Sequence, residues 1–190
     1  YLMTYAQHNT KNTNLTGRFW FSKGFYKQHF KTSCGISASY GDGEQYTAGK
    51  VVGYKYRSLM LSPSLTYSPS WAFVTYSGDF TLSKSISDNA SMASRFNWKQ
   101  SLTLTSTIQK VDLSLSGIYY HNQLEGATLN TFLADAKITW RQKNFLVLAT
   151  LANIFNKRNY VETSYSGVGI FTNSYELRPR ELILSFEFRF

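Results

Sequence analysis

Apolar and polar residues alternate one by one along most of the chain, which is typical of β-strands with one apolar and one polar face. The final stretch shows this pattern most simply. Its apolar positions are Leu182, Leu184, Phe186, Phe188 and Phe190, and its polar positions are Glu181, Ser185, Glu187 and Arg189, with Ile183 as the exception. The apolar face of such a strand either packs in the core of a soluble sandwich or faces lipid in a transmembrane barrel.

The same alternation predicts ten strands and no amphipathic helix. The predicted strands are residues 1–6, 15–25, 30–40, 51–67, 71–86, 92–108, 111–120, 132–141, 145–155 and 175–190. Pro63 removes one backbone donor from the fourth of them, so we expect a bulge or another local irregularity there.

The connections between the predicted strands alternate between short turns and longer polar loops. The short ones are residues 26–29, 68–70, 109–110 and 142–144, and the longest loop is residues 156–173. Tight turns at one end and long loops at the other are typical of an outer-membrane meander, whereas a soluble sandwich gives no reason for this regularity. We therefore predict an all-β fold, a transmembrane antiparallel up-and-down β-barrel, of which residues 1–190 form a single segment of about ten strands.

Charge and composition narrow the range of partners. Lys and Arg number 20 against 11 Asp and Glu, but they are dispersed without a run of five, so we predict no nucleic-acid partner. Aromatic residues make up 17% of the chain, which suits girdles at two membrane interfaces, and we assign Trp20, Trp71, Trp98 and Trp140 to such girdles. The single cysteine, Cys34, excludes an internal disulfide. No run of 18 apolar residues predicts a transmembrane helix.

The last two predicted strands carry motifs of a known family. Asn153-Ile-Phe-Asn156 and Pro179-Arg180, followed by an alternating strand that ends in Phe190, resemble the C-terminus of TonB-dependent outer-membrane transporters. The rest of the chain is similar to that family only in architecture. The family's barrel has 22 strands and encloses a plug domain. The resemblance therefore implies that this chain is the C-terminal barrel portion, and that the plug and the N-terminus are absent from it.

The resemblance also implies a function and a set of partners. It implies import of a nutrient ligand by a protein integral to a Gram-negative outer membrane, with its C-terminus in the periplasm. The implied partners are outer-membrane lipid and lipopolysaccharide, TonB through the missing N-terminal segment, the barrel-assembly machinery and a surface lipoprotein. Phe186, Phe188 and Phe190 resemble the assembly signal that this machinery reads. Siderophores, cobalamin, glycans and peptides all stay open as ligands.

A self-contained ten-stranded barrel is the alternative interpretation. An open sheet in lipid would leave two edges of unpaired backbone groups, and each such group costs several kcal/mol. Either the ten strands close on themselves, as in a structural protein, an adhesin or a rim protease, or further strands complete the barrel. The chain opens at Tyr1 as though already inside a strand, which favours the second alternative.

Candidate functional residues lie in the longest loop and on the polar parity of the strands. The loop aromatics Tyr160, Tyr165, Phe171 and Tyr175 are the predicted contacts for a ligand or partner. The charges predicted to face the lumen are Arg18, Lys99, Asp112, Asp135, Lys137, Arg141, Glu187 and Arg189. These charges either guide a substrate or contact a plug, or else pair across strands in a solvated interior. The three histidines show no metal-ligand spacing and no nucleophile motif occurs, so we predict no enzyme activity, no metal and no cofactor.

Overall fold

The computed structural model describes residues 11–188 except 28, 48, 89, 92–93, 125 and 167–168. This part of the chain consists of β-strands joined by turns and loops, and it contains no helix. The strands are β1 (Asn12–Phe25), β2 (Phe30–Thr47), β3 (Lys50–Tyr67), β4 (Ala72–Ser87), β5 (Ala90–Ser91), β6 (Arg95–Ile108), β7 (Val111–Gln123), β8 (Thr128–Arg141), β9 (Phe145–Ala152), β10 (Asn159–Ser166), β11 (Gly169–Glu176) and β12 (Glu181–Phe188). The all-β prediction is confirmed.

Nine long strands form one antiparallel up-and-down sheet in the order β1-β2-β3-β4-β6-β7-β8-β9-β12. The short β5 pairs only with the end of β4, and β10 and β11 form a separate hairpin between β9 and β12. These nine strands are the ones that the alternation predicts from residue 15 onward. The strand predicted at residues 1–6 lies outside the described residues.

Several sequence-based boundaries are wrong, and three of them by the most. The loop predicted at residues 41–50 is mostly strand, because β2 and β3 continue to pair as far as Thr47 and Lys50. The loop predicted at residues 156–173 contains β10 and part of β11. The last strand begins at Glu181, not near Tyr175. The hairpin and the extended ends of β2 and β3 are rich in polar residues, so backbone hydrogen bonds hold them and no hydrophobic alternation reveals them.

The irregularity expected at Pro63 lies in the ladder between β3 and β4. Pairing stops after Leu61 and Phe80 and resumes at Ser64 and Ser77 in the same register. No residue is inserted, so this is an interruption of the ladder and not a bulge. Because proline has no N–H to donate, the interruption falls where a ladder bond is impossible.

The register places the apolar positions of all nine long strands on one surface of the sheet. One row of residues that face each other across successive strands is Phe25, Phe30, Tyr67, Val74, Leu104, Leu115, Ala136, Leu151 and Leu182. We call this surface the apolar face and the opposite one the polar face. The row begins at the end of β1 and finishes at the start of β12, so the strands are strongly staggered. Such stagger accompanies the strand tilt that barrel closure requires.

The apolar face has no covering layer within the described residues. The only buried hydrophobic residues there are Ala72 and Ala134, and no large side chain is fully buried. Leu102 is 51% exposed, Leu115 45% and Phe186 65%. A soluble sandwich would bury these side chains between two sheets. The sheet therefore presents a broad apolar surface to its surroundings.

The sheet is also open along both sides. Within the described chain, β1 pairs only with β2, and β12 pairs only with β9. The strands described here consequently do not close into the predicted barrel. Each outer strand keeps one row of backbone N–H and C=O groups that another strand could pair with.

Candidate functional site

The hairpin of β10 and β11 lies at the end of the sheet that carries the longer connections, and it is tied to the polar face. Asn122 occupies the polar face of β7 and is only 8% exposed. Its Nδ2 donates a hydrogen bond of 2.7 Å to the carbonyl oxygen of Val161 in β10. A buried amide that anchors a loop backbone fixes the hairpin's position relative to the sheet.

Four side chains form a cluster where the hairpin meets the sheet, and we call it the tyrosine cluster: Lys99, Tyr120, Tyr160 and Tyr175. Tyr160 and Tyr175 face each other across the hairpin, with ring centroids 5.7 Å apart and planes 14° apart. The ring of Tyr120 lies 4.3 Å from that of Tyr160. The Lys99 ammonium sits 5.3 Å from the centroid of the Tyr120 ring. Stacked aromatic rings beside a cation form a surface that can bind a ligand by stacking and by cation–π contacts.

Burial raises the pKa of the Tyr160 hydroxyl well above its usual range, and the neighbouring Tyr120 and Glu162 raise it further. The phenol therefore stays protonated, and able to donate a hydrogen bond, at alkaline pH values where an ordinary tyrosine begins to ionise. The cluster thus offers aromatic faces, hydroxyl groups and one ammonium group. This chemistry suits reversible binding by stacking and hydrogen bonding.

The structure brings together only part of the predicted loop site. Tyr160 and Tyr175 form a pair, whereas Tyr165 and Phe171 lie nearer the hairpin tip, opposite Ile170 and Ser164. The side chains of Tyr165 and Phe171 lie outside the description. Sequence reasoning missed Tyr120 as a partner. The sequence could have indicated Tyr120, because it is an aromatic residue at a polar-face position of β7, where other positions are occupied by serines and an aspartate.

The motif residues Asn153 and Asn156 hold the two ends of the hairpin together. The Asn153 Nδ2 donates to the carbonyl oxygens of Lys157 and Arg178, each at 2.7 Å, and its Oδ1 accepts the Lys157 N–H at 2.9 Å. The Asn156 Oδ1 accepts the Arg180 N–H at 3.0 Å. Both asparagines have φ near +50°, a conformation that asparagine tolerates better than most residues.

The polar face carries every described charge that the sequence predicts to face the lumen. These are Arg18, Lys99, Asp112, Asp135, Lys137, Arg141 and Glu187, while Arg189 lies outside the described residues. Asp112 and Arg141 form an ion pair at 2.5 Å. Lys99 faces Asp79 across the β4–β6 ladder. Asp135 accepts the backbone N–H of Asn153 at 2.7 Å. These charged side chains therefore contact or face residues of neighbouring segments. That the polar face lines a lumen stays a prediction.

Aromatic residues gather near both ends of the apolar face. Towards the short turns, Trp140 contacts Phe145 at 5.1 Å and Phe145 contacts Phe188 at 6.4 Å between ring centroids. Towards the longer connections, Trp98 stacks on His121 with centroids 3.6 Å apart. Trp71 lies in a short turn, outside the strands of either face, and is 60% exposed. This arrangement resembles two interfacial girdles.

Trp20 does not lie with these aromatics. It faces Gly35 in the β1–β2 ladder, and its ring covers that glycine on the polar face. Its assignment to a girdle is therefore wrong. The predicted assembly residues Phe186 and Phe188 do lie on the apolar face, opposite Val147 and Phe145. Phe190 lies outside the described residues.

The histidines and acids do not assemble into a metal centre in the described part of the chain, where no group of three His, Cys, Asp or Glu side chains could hold an ion. His29 instead links two short turns, with its Nδ1 2.8 Å from the Ser68 carbonyl oxygen. His121 contacts the Asn130 Oδ1 at 2.7 Å. His8 lies outside the described residues.

The described residues include no helix that is long and apolar enough to cross a membrane. No family model, no curated protein and no solved structure matches the chain.

Proposed function

We propose that this chain is part of the wall of an outer-membrane β-barrel, namely the C-terminal barrel portion of a TonB-dependent transporter that imports a nutrient. The observation that carries the proposal is the uncovered apolar face, which is continuous across nine strands. Lipid is the partner whose chemistry matches such a face, because it needs no hydrogen bonds from the side chains. The stagger of the strands and the aromatic groups near both ends support the same environment.

The open edges support a barrel that needs further strands. In a bilayer, unpaired backbone groups along β1 and β12 would be costly. In the proposed transporter, strands outside this chain pair with both edges and a plug fills the interior. TonB contacts the absent N-terminal segment and supplies the energy that moves the plug. The chain lies in the outer membrane with the short turns and the C-terminus in the periplasm.

The tyrosine cluster is the proposed ligand-contacting element of this chain. It lies at the end with the longer connections, which faces the exterior in the proposed orientation, and it combines stacking surfaces with hydroxyl groups and Lys99. The chain contributes binding and a channel wall but no covalent chemistry. A surface lipoprotein that covers this end is a further proposed partner.

Membrane fractionation and the upstream coding sequence test the placement. We expect the protein in the outer-membrane fraction, released by detergent and not by high salt, with a plug-like domain encoded before Tyr1. A secretion leader that ends directly at Tyr1 would favour the self-contained barrel instead. Recovery of the chain in the soluble fraction without detergent would overturn both interpretations.

Uptake by a deletion strain tests the function. A strain that lacks the gene should lose growth on one class of scarce nutrient, and the intact gene should restore it. In the complemented strain, Y160A together with Y175A should lower the affinity for that nutrient at unchanged protein level. Tyr26, which is 84% exposed in a short turn, supplies the matched control Y26A. Equal effects of both changes would exclude a ligand role for the cluster.

A further inference from the structure

Two cations face each other on the apolar face, and neither has an acidic partner among the described residues. Arg57 in β3 and Lys84 in β4 are directly paired in the ladder, and both are exposed. They share the face of Leu59 and Leu82, which occupy the next position along the two strands. Directly opposed like charges destabilise a sheet, so this pair calls for an anion from elsewhere.

The neighbouring groups do not supply that anion. Asp42, on the adjacent strand, accepts a hydrogen bond from the Tyr40 hydroxyl at 3.0 Å and lies 3.9 Å from the Lys55 ammonium. Arg57 instead lies over the Tyr40 ring, 5.8 Å from its centroid. Neither Arg57 nor Lys84 forms an ion pair with any described residue.

An apolar groove of about 600 Å³ begins at these cations and runs along the apolar face. Its walls include Leu15, Leu59 and Leu82, and Arg57 and Lys84 line it as well. Its floor is low because Gly17 stands opposite Ala38, and a Cβ added at Gly17 would meet nothing within 4 Å. The groove thus joins an apolar trough to a site for negative charge.

We propose that the groove binds an anionic lipid, with its phosphate group between Arg57 and Lys84 and an acyl chain along Leu59 and Leu82. Arginine matches phosphate oxygens in a bidentate manner and lysine adds a point charge. The inference depends on the proposed membrane function, because only lipid on the apolar face would present this combination. A second copy of the chain is the poorer match, since each copy carries a net charge of +9 and would bring the same cations to the contact.

Native mass spectrometry of the intact protein that contains this chain, purified in neutral detergent, tests the site. The probes are phosphatidic acid, the diacylglycerol with the same acyl chains, and inorganic phosphate. We expect the chain to retain phosphatidic acid in preference to the other two. R57Q together with K84Q should lower that affinity about thirtyfold, since each basic residue near an anionic lipid surface is worth about 1 kcal/mol.

Two matched controls show whether binding depends on the groove itself or only on the net charge of the protein and the apolar character of its surface. G17L fills the groove and should also lower the affinity, whereas G117L places the same side chain elsewhere on the apolar face and should not. R18Q with K31Q removes one arginine and one lysine from the polar face and should leave binding unchanged.

The outcomes separate the lipid site from the membrane function. Equal retention of diacylglycerol, tight binding of phosphate alone, or equal losses in the R18Q/K31Q control would each overturn the lipid site. Vesicle flotation of the same protein reports insertion independently. If the intact protein inserts but shows no preference for phosphatidic acid, only this inference is overturned, whereas an intact protein that does not insert overturns the function on which the inference depends.

Discussion

Asn153 connects three segments of the chain through hydrogen bonds of its side chain and its backbone. Its amide joins the start of the hairpin connection to its end, because it bonds the backbones of Lys157 and Arg178 together. Its own backbone N–H is bound by Asp135 of β8. Three segments that are distant in sequence thus meet at a single residue, which explains why the motif needs an asparagine there.

Replacing Asn153 by alanine should lower the free energy of unfolding by about 2–3 kcal/mol, since each lost hydrogen bond contributes about 1 kcal/mol. Denaturant titration of the folded chain in detergent measures this loss. N153G separates the loss of the hydrogen bonds from the strain of a positive φ, because glycine tolerates the positive φ but lacks the amide. If N153G is as stable as the unchanged protein, the hydrogen bonds contribute nothing. N144A, in a short turn, is the control.

Tyr160 makes the docking of the hairpin sensitive to alkaline pH. Its pKa is raised from the ordinary value of 10.0, so the folded state favours the neutral phenol. The stabilisation is complete below pH 10 and decreases as the pH rises above it towards the folded pKa. Protease susceptibility of residues 159–176 should therefore increase above about pH 10. Y160F, which cannot ionise, should lose this dependence; an unchanged pH profile in Y160F would assign the effect to another group.

At the level of the strand, the alternation of apolar and polar residues predicts those features of the fold that depend on the type and position of neighbouring side chains. The nine long strands, the face of Leu104 and Leu115 and the irregularity at Pro63 all follow from residue type and parity. The hairpin did not, because its polar strands are held by backbone pairing. The site was predictable only in part: Tyr160 and Tyr175 were recognisable as loop aromatics. Their contact with Tyr120 depends on how the hairpin folds back, which no local pattern encodes.

The last strand supplies a prediction about assembly. Phe186 and Phe188 are 65% and 68% exposed on the apolar face, so they are available to an assembly factor and to lipid. F186S with F188S should reduce the folded fraction in the outer membrane by severalfold, measured by protection from external protease. S185T, on the polar face of the same strand, should have no effect. An unchanged folded fraction in the double variant would remove these residues from the assembly signal.

At the level of the whole molecule, the two faces should respond oppositely to charge. Leu115 lies midway along β7 on the apolar face, and Ser116 follows it on the polar face beside Asp135. In a bilayer, lysine at a lipid-facing midpoint costs about 2–4 kcal/mol, whereas lumen positions tolerate it. In the intact protein that contains this chain, L115K should therefore impair insertion into vesicles, and S116K should not. Equal insertion of the two variants would refute the orientation of the faces.

The order of the strands has a consequence for how the sheet can be built. From β1 to β9, each long strand pairs with the long strand that precedes it in the chain, so pairing can progress stepwise along the chain as it emerges. The addition of β12 is different, because it must find β9 across the whole hairpin between Ala152 and Glu181. Closing a longer loop costs more chain entropy, and docking the hairpin beforehand removes part of that cost. The final strand would then be the slow step, and the asparagines that gather the ends of the hairpin would set its rate.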